Sequence, residues 1–408
     1  MRTKFKLLSL SLSSLVLASC SNSEETTIPL LNYQTPATYT FARNAASTVD
    51  YSGQTSRLIM LEEMGNYIKT AAVNGTIADE VALMDMFVNT GNRFSIETLN
   101  SSGKQLRDKT AASKDYFSLL FGGGSTIEQG LVRSFFENQF TNAQNASQGN
   151  NASAGVAGVY LDGSSKRLFA SNGLEPQQLL LKGMMGACLL DQICNNYLSV
   201  NKLDESANKE NNTNKVLEVN KNYTTMEHNW DEAYGYIYGN DNLTLSPNVF
   251  KYWSSYINQV SDDSDFNTLK ADIDLAFRKG RAAIVANDYA TRDVQIAIIK
   301  SKIALVPAVR SVFYLQEGKA KLQVDNGASA FHALSEAYGF IMSLRYTNKP
   351  GTNNPYFSRE ETDVMLASLI SGPNGLWDID SLSPKLDAIS AQIAAKFNFT
   401  VAQAATVN

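Results

Sequence analysis

From His228 the chain reads His-Asn-Trp-Asp-Glu-Ala-Tyr-Gly-Tyr-Ile, and from His332 it reads His-Ala-Leu-Ser-Glu-Ala-Tyr-Gly-Phe-Ile. Six of the ten positions are identical, a seventh is aromatic in both, and the chain has only these 2 histidines, 104 residues apart. Identical settings for the two imidazoles mark an internal duplication. On a helix each residue turns by about 100°, so Glu232 lies about 40° from His228 and Gly235 about 20° to the other side, in one stripe. His332, Glu336 and Gly339 form the same stripe. Ile237 and Ile341 fall on the opposite side, and with Tyr234 and Tyr338 each helix is apolar or aromatic nearly all round, the pattern of a buried helix. A glycine beside the His/Glu pair lets a partner backbone come close. Any fold for this chain has to bury two such helices.

The remaining pattern is helical. Leu58, Leu61, Met64, Ile68 and Ala72 recur at three- and four-residue steps from about Thr55 to Val73, ended by Asn74-Gly75. Similar patterns run over Ala78 to Val88, Lys104 to Leu120 and Thr126 to Asn145. Gly122-Gly123-Gly124-Ser125 has no Gly-Lys-Ser/Thr after it and reads as a turn rather than a phosphate loop. The segment Val156 to Ala170, strand-like around Asp162-Gly163, predicts a β-hairpin. Glu175-Pro176 opens a buried helix through Leu179 to Leu190, where Cys188 and Cys194 are two buried thiols, too far apart along a helix for a disulfide. Further helices fall around His228, Phe250 to Val260, Leu269 to Asn287, Val294 to Leu315 (with a kink expected at Pro307), His332, Arg359 to Leu369 and Ser383 to Lys396. Ser358 and Glu361 have capping-box spacing. The fold class is all-α, an internally duplicated helical bundle with a minor β-hairpin. Its expected halves are residues 36–250 and 251–408.

The chain opens with an address. Arg2, Lys4 and Lys6 precede an apolar stretch from Leu7 to Ala18, the shape of a secretory signal peptide over residues 1–19. Leu17-Ala18-Ser19-Cys20 resembles a bacterial lipobox, which implies lipid on Cys20 after cleavage and attachment to a membrane without a spanning helix. Removal of residues 1–19 takes three of the 35 basic residues and none of the 40 acidic ones, so the balance moves from −5 to −8. Residues 20–35 read as a flexible polar tether, and Glu24-Glu25 resembles the export signal of surface lipoproteins. The expected location is the bacterial cell envelope, at the outer membrane and facing outward if that signal operates. An acidic balance without a run of five Lys or Arg excludes the basic footprint that nucleic-acid binding needs. Two histidines exclude any site of three imidazoles.

Three readings of the dyads follow from the residue types. In one, each buried imidazole donates to the carboxylate one turn away, and the pair is structural. In another, inward-facing His228, Glu232, His332 and Glu336 line a central site for a small ligand or a metal, iron, zinc or manganese by ligand type. In the last, they are a general acid and base. Asp231 adds a candidate ligand, although its counterpart is Ser335. Ser101-Ser102-Gly103-Lys104 stands in a polar loop without companion motifs, and neither a His-Glu-x-x-His helix nor a Gly-x-Ser-x-Gly elbow occurs.

The lipobox, the helical body and the repeated His-x-x-x-Glu-Ala-Tyr-Gly motif together resemble the DUF4856 family of lipoproteins from Bacteroides and relatives, over nearly the whole mature chain. That resemblance implies an envelope protein of about 400 residues. More distantly, the helical duplication is similar to imelysin-like proteins, whose Gly-x-His-x-x-Glu motif is linked to peptidase activity or iron acquisition. Here the spacing is His-x-x-x-Glu, with Met226 and Ala330 in place of the glycine. The function expected is a non-catalytic binding or uptake-associated protein with a His/Glu-lined site for a metal or small ligand. The alternatives are an imelysin-like metallopeptidase and a purely structural surface scaffold.

Overall fold

In the computed structural model, which describes residues 33–407 apart from 122–125, 323, 325, 326 and 353, the stripe Leu58, Leu61, Met64, Ile68 and Ala72 is buried along helix α1 (Ser52–Asn74). Gly75 ends that helix at φ 67°, a left-handed cap whose N–H reaches the Ala71 carbonyl. The expected signal peptide, nearly all of the expected tether with Cys20, and the expected turn at Gly122–Ser125 lie outside the described residues. A minimal ribbon, β1 (Ala42–Arg43) with β2 (Ala46–Ser47), precedes α1. Helix α2 (Glu80–Val88) is capped by Asp79, whose Oδ1 accepts from the Val81 N–H, and α3 is Thr126–Ala146.

The expected helix over Lys104 to Leu120 is a correction. Only Lys114–Leu120 is helical, as a π-turn. Its upstream half is a strap with one turn, where the Lys109 and Thr110 N–H groups donate to the Leu106 carbonyl, and its other backbone groups bond to neighbours: Arg57 Nε donates to the Gln105 carbonyl at 2.8 Å, and Ala111 N–H donates to the Ala187 carbonyl at 2.8 Å. Leu106 and Ala111 are buried as a helix stripe would be, but through the strap.

The hairpin is present as β3 (Gly158–Asp162) and β4 (Ser165–Phe169), antiparallel, with Asp162 opposite Ser165 across the two-residue turn Gly163-Ser164. Gly163 supplies the positive φ of 58°. Helix α4 (Pro176–Met184) starts with Pro176 in its first turn and widens into π-helical segments Met185–Leu190 and Ile193–Tyr197. Cys188 and Cys194 are buried free thiols, both pushed up to about 12 by burial.

Then come α5 (Thr225–Tyr238), α6 (Tyr252–Asp262), α7 (Leu269–Val285), α8 (Tyr289–Lys321), α9 (Ala328–Ser343), α10 (Arg359–Leu369) and α11 (Leu382–Phe397). The 33-residue α8 runs through Pro307, with the Ser311 hydroxyl bonded to the Pro307 carbonyl at 2.7 Å. The capping box of Ser358 and Glu361 opens α10. Helix α8 packs on α7, α9 and α11, while the motif helices lean on earlier elements, α5 on α1 and α9 on α4. Residues Thr35–Asn408 make one compact unit, mostly helical, with two small antiparallel hairpins among the described residues. No described helix is long and apolar enough to cross a membrane.

Candidate functional site

The motif glycines do what a stripe of small residues permits. A Cβ on Gly235 would stand 2.3 Å from Tyr51 Cβ, and one on Gly339 would stand 2.4 Å from Lys182 Cβ. These contacts bring α5 onto the entrance of α1 and α9 onto α4. The motif tyrosines add contacts to other segments by stacking, Tyr234 on Tyr39 ahead of β1 at 3.7 Å and Tyr338 on Phe135 of α3 at 6.1 Å between ring centres.

Each histidine faces a partner from another segment. His228 Nδ1 lies 3.0 Å from the Asp50 carbonyl, which only accepts, so Nδ1 carries the proton. Its ring stacks on Tyr223 at 4.4 Å. Nε2 is 3.9 Å from Glu232 Oε1, beyond hydrogen-bond reach, and that oxygen accepts from Gln54 Nε2 at 2.8 Å. In the second motif, His332 Nδ1 meets Glu175 Oε2 at 2.6 Å. Glu175 is 1% exposed and also pairs with Arg167 Nη1 at 3.5 Å. Glu336 pairs with Lys182 Nζ at 3.1 Å, and Lys182 donates to the Tyr256 hydroxyl at 2.6 Å. Burial pushes the Glu336 carboxyl up, but Lys182 and His332 outweigh it and hold the group below its ordinary range.

The expectation that each imidazole bonds the carboxylate one turn away is therefore corrected. Residues in one stripe are neighbours, but a carboxylate at i+4 is taken by the nearer donor on the packed helix, Gln54 or Lys182. The four dyad residues also engage separate partner sets, one on the entrance of α1 and one on α4.

Asp231 belongs to a different network. It is fully buried and accepts from Arg281 Nε at 2.9 Å, Arg281 Nη2 at 3.4 Å and the Tyr39 hydroxyl at 2.6 Å. Arg281, equally buried, also reaches Glu227 at 3.3 Å, and Glu227 is held by Arg43 at 2.8 Å. Burial pushes the Asp231 carboxyl up, and Arg281 offsets only part of that. Its counterpart Ser335 instead accepts from the Glu175 N–H at 2.9 Å, fixing the carboxylate that meets His332. Among the described residues no three His, Cys, Asp or Glu side chains are grouped to hold a metal ion.

Two residues that motif reading missed, Arg167 and Lys182, carry the cationic side of the second cluster. Lys182 had a signal: it is the one charge in the apolar run Leu179 to Leu190. Arg167 had none beyond its place after the hairpin turn. Each faces a cavity along the cleft between α1 and α4. Arg167 lines one of about 370 Å³, closed by β4, and Lys182 lines one of about 270 Å³, closed by Phe250, Tyr252 and Tyr256. Gln177 lines both.

Comparison with the curated proteins and with the solved structures gives no significant match. A family model does match, described as Domain of unknown function (DUF4856), over residues 36–400. With that model spanning almost all of the folded unit, the chain belongs to the DUF4856 family.

Proposed function

We propose that this chain is a lipid-anchored protein of the bacterial cell envelope, held at the outer membrane through Cys20, which binds a small ligand and catalyses no reaction. Its ligand seat is the cleft between α1 and α4 rather than a chamber between the two dyads. One observation carries this reading: the cations that the second dyad holds in place, Lys182 through Glu336 and Arg167 through Glu175 and His332, each reach a cavity, and the two cavities share Gln177. Cavities of this size suit a small molecule. The dyad then acts as positioning machinery, holding two long side chains that would otherwise lose rotamer freedom on binding. The imelysin-like duplication is part of the same proposal, carried by the two glycine-mediated helix contacts. A metallopeptidase is the weaker version, because His228 and His332 are taken by separate partners and, among the described residues, no group of three candidate ligands forms around either.

The test is native mass spectrometry of the full chain extracted from its own membranes in mild detergent, alongside an Arg167→Met/Lys182→Met variant. A small molecule retained by the wild type and lost from a variant with an unchanged circular dichroism spectrum is the expected result. A ligand retained equally by both, or one released as a cleaved product, refutes the reading.

A further inference from the structure

The cavity of about 270 Å³ closed by Phe250, Tyr252 and Tyr256 has two lysines in its wall, and both are already paired. Lys251 meets Glu62 at 2.7 Å, and Lys182 meets Glu336 at 3.1 Å while donating to the Tyr256 hydroxyl at 2.6 Å. A charged guest would find no unpaired counter-charge here, so the lining favours a neutral one. What the wall does offer is hydrogen-bonding capacity on side chains that solvent reaches. Asn66 is exposed on α1. Gln177, half-buried, gives its Nε2 to the Gly65 carbonyl at 2.8 Å and keeps its amide oxygen. Ser255 accepts from Gln259 at 3.1 Å and keeps its O–H. Glu62, about a third exposed, accepts from Lys251 and Asn240 and has lone pairs to spare. Tyr252 sets the aromatic side: it opens α6 at a left-handed φ of 50°, rare for a bulky residue, and its hydroxyl donates to the Leu58 carbonyl at 3.1 Å. Backbone strain of this kind gathers at ligand sites.

We infer that this cavity seats one neutral pyranose ring, a hexose that is free or ends a glycan. Each sugar hydroxyl is donor and acceptor at once, which the mixed lining of Asn66, Gln177, Ser255 and Glu62 matches. The C–H face of the ring supplies the apolar surface that lies against an aromatic side chain. A hydrocarbon would leave the polar groups unmatched, and an acid would lack its counter-charge. The inference rests on the binding reading above and names its ligand class.

Equilibrium dialysis of the full chain tests it, in a mild detergent without a sugar headgroup. Glucose, galactose, mannose and N-acetylglucosamine are the probes, with the open-chain galactitol and the acid galacturonate as controls. At least one of the four sugars should bind at one equivalent, with an affinity that added salt leaves unchanged. Binding of its methyl glycoside as well assigns a glycan end, and failure of the glycoside assigns a free sugar. Asn66→Ala, at an exposed position that leaves the fold intact, should weaken binding about fivefold, and Phe250→Ala about tenfold with an unchanged circular dichroism spectrum. Binding of none of the four at millimolar concentration, equal binding of galactitol or galacturonate, or an unaltered affinity in Asn66→Ala overturns the inference. A charged molecule retained in the native mass measurement, with no sugar bound here, would overturn it and leave the binding reading in place, whereas no ligand in either measurement would overturn both.

Discussion

Replacing Arg281 by Met isolates the energetics of the network that claims Asp231. In the wild type both side chains are fully buried, with Arg281 giving Asp231 two bonds, at 2.9 and 3.4 Å. The substitution leaves Asp231 with the Tyr39 hydroxyl alone, while Glu227 keeps Arg43 and its capping bond from the Thr224 N–H. The loss therefore falls mainly on one buried carboxylate, and removing one partner of such a pair costs about 3–5 kcal/mol. Against a total stability of roughly 5–15 kcal/mol that is a large share. The carboxylate relieves part of it by taking a proton. Burial already raises Asp231, and Arg281 is the main group pulling it down, so the variant's carboxyl rises further. A group raised in the folded state contributes stability that is present below its unfolded pKa and lost as pH climbs through the folded value. The deficit of Arg281→Met should thus be greatest near neutral pH and shrink as pH falls toward about 4, the unfolded carboxyl's range. Urea melts of the full chain, read by tryptophan fluorescence at several pH values, measure this. Trp230 reports from the same helix, its indole bonded to the Phe277 carbonyl at 3.1 Å. Arg281→Met/Asp231→Leu removes the stranded charge and should recover part of the loss. A single-variant deficit under about 1 kcal/mol, typical of an exposed pair, or a deficit that does not change with pH, would refute the reasoning.

Other outcomes follow from the same physics. Asp191 is fully buried, and burial pushes it up to about 7 against hydrogen bonds from Ser113 and Asn195, so the wild type should lose up to about 4 kcal/mol as pH rises from about 4 through 7. Asp191→Asn should flatten that part of the stability–pH profile, and identical slopes would sink the assignment. His228→Ala and His332→Ala share no partner, so their costs in a urea melt should add within about 0.5 kcal/mol, whereas a larger coupling would point to one joint site. Cys20→Ser should release the chain from membranes on fractionation, and continued detergent-dependent sedimentation would contradict lipidation.

Local signals were legible wherever one residue type settles the backbone. Asn74-Gly75, Pro176, Asp162-Gly163 and the Ser358/Glu361 box each mark a boundary that the structure has. Lys104 to Ser113 misled because a buried strap can carry the same apolar spacing as a helix, and only its bonds to Arg57 and Ala187 tell them apart. The π-turns after Met184 were equally hidden, since the Ala187 carbonyl is turned toward a segment more than seventy residues upstream. Histidine and glutamate positions could be read from the repeat, but their partners could not: His332 meets Glu175 across 157 residues, and Gln54 meets Glu232 across 178.

Those distant partners also say what the duplication preserves. Each motif histidine is set against the entrance of another helix, His228 on the Asp50 carbonyl before α1 and His332 on Glu175 before α4. Each motif glycine then lets that same helix come close. The repeated decapeptide is thus half of a two-helix device, and its other half carries no shared sequence because backbone carbonyl and carboxylate serve equally as acceptors for an imidazole N–H. The charged residues that His332 and Glu336 meet, Glu175 and Lys182, precede residue 250, while the Tyr314 hydroxyl that also bonds Glu336 follows it. A cut between 250 and 251 therefore parts Glu175 from His332 and Lys182 from Glu336, so the charged contacts of the second copy run to the first.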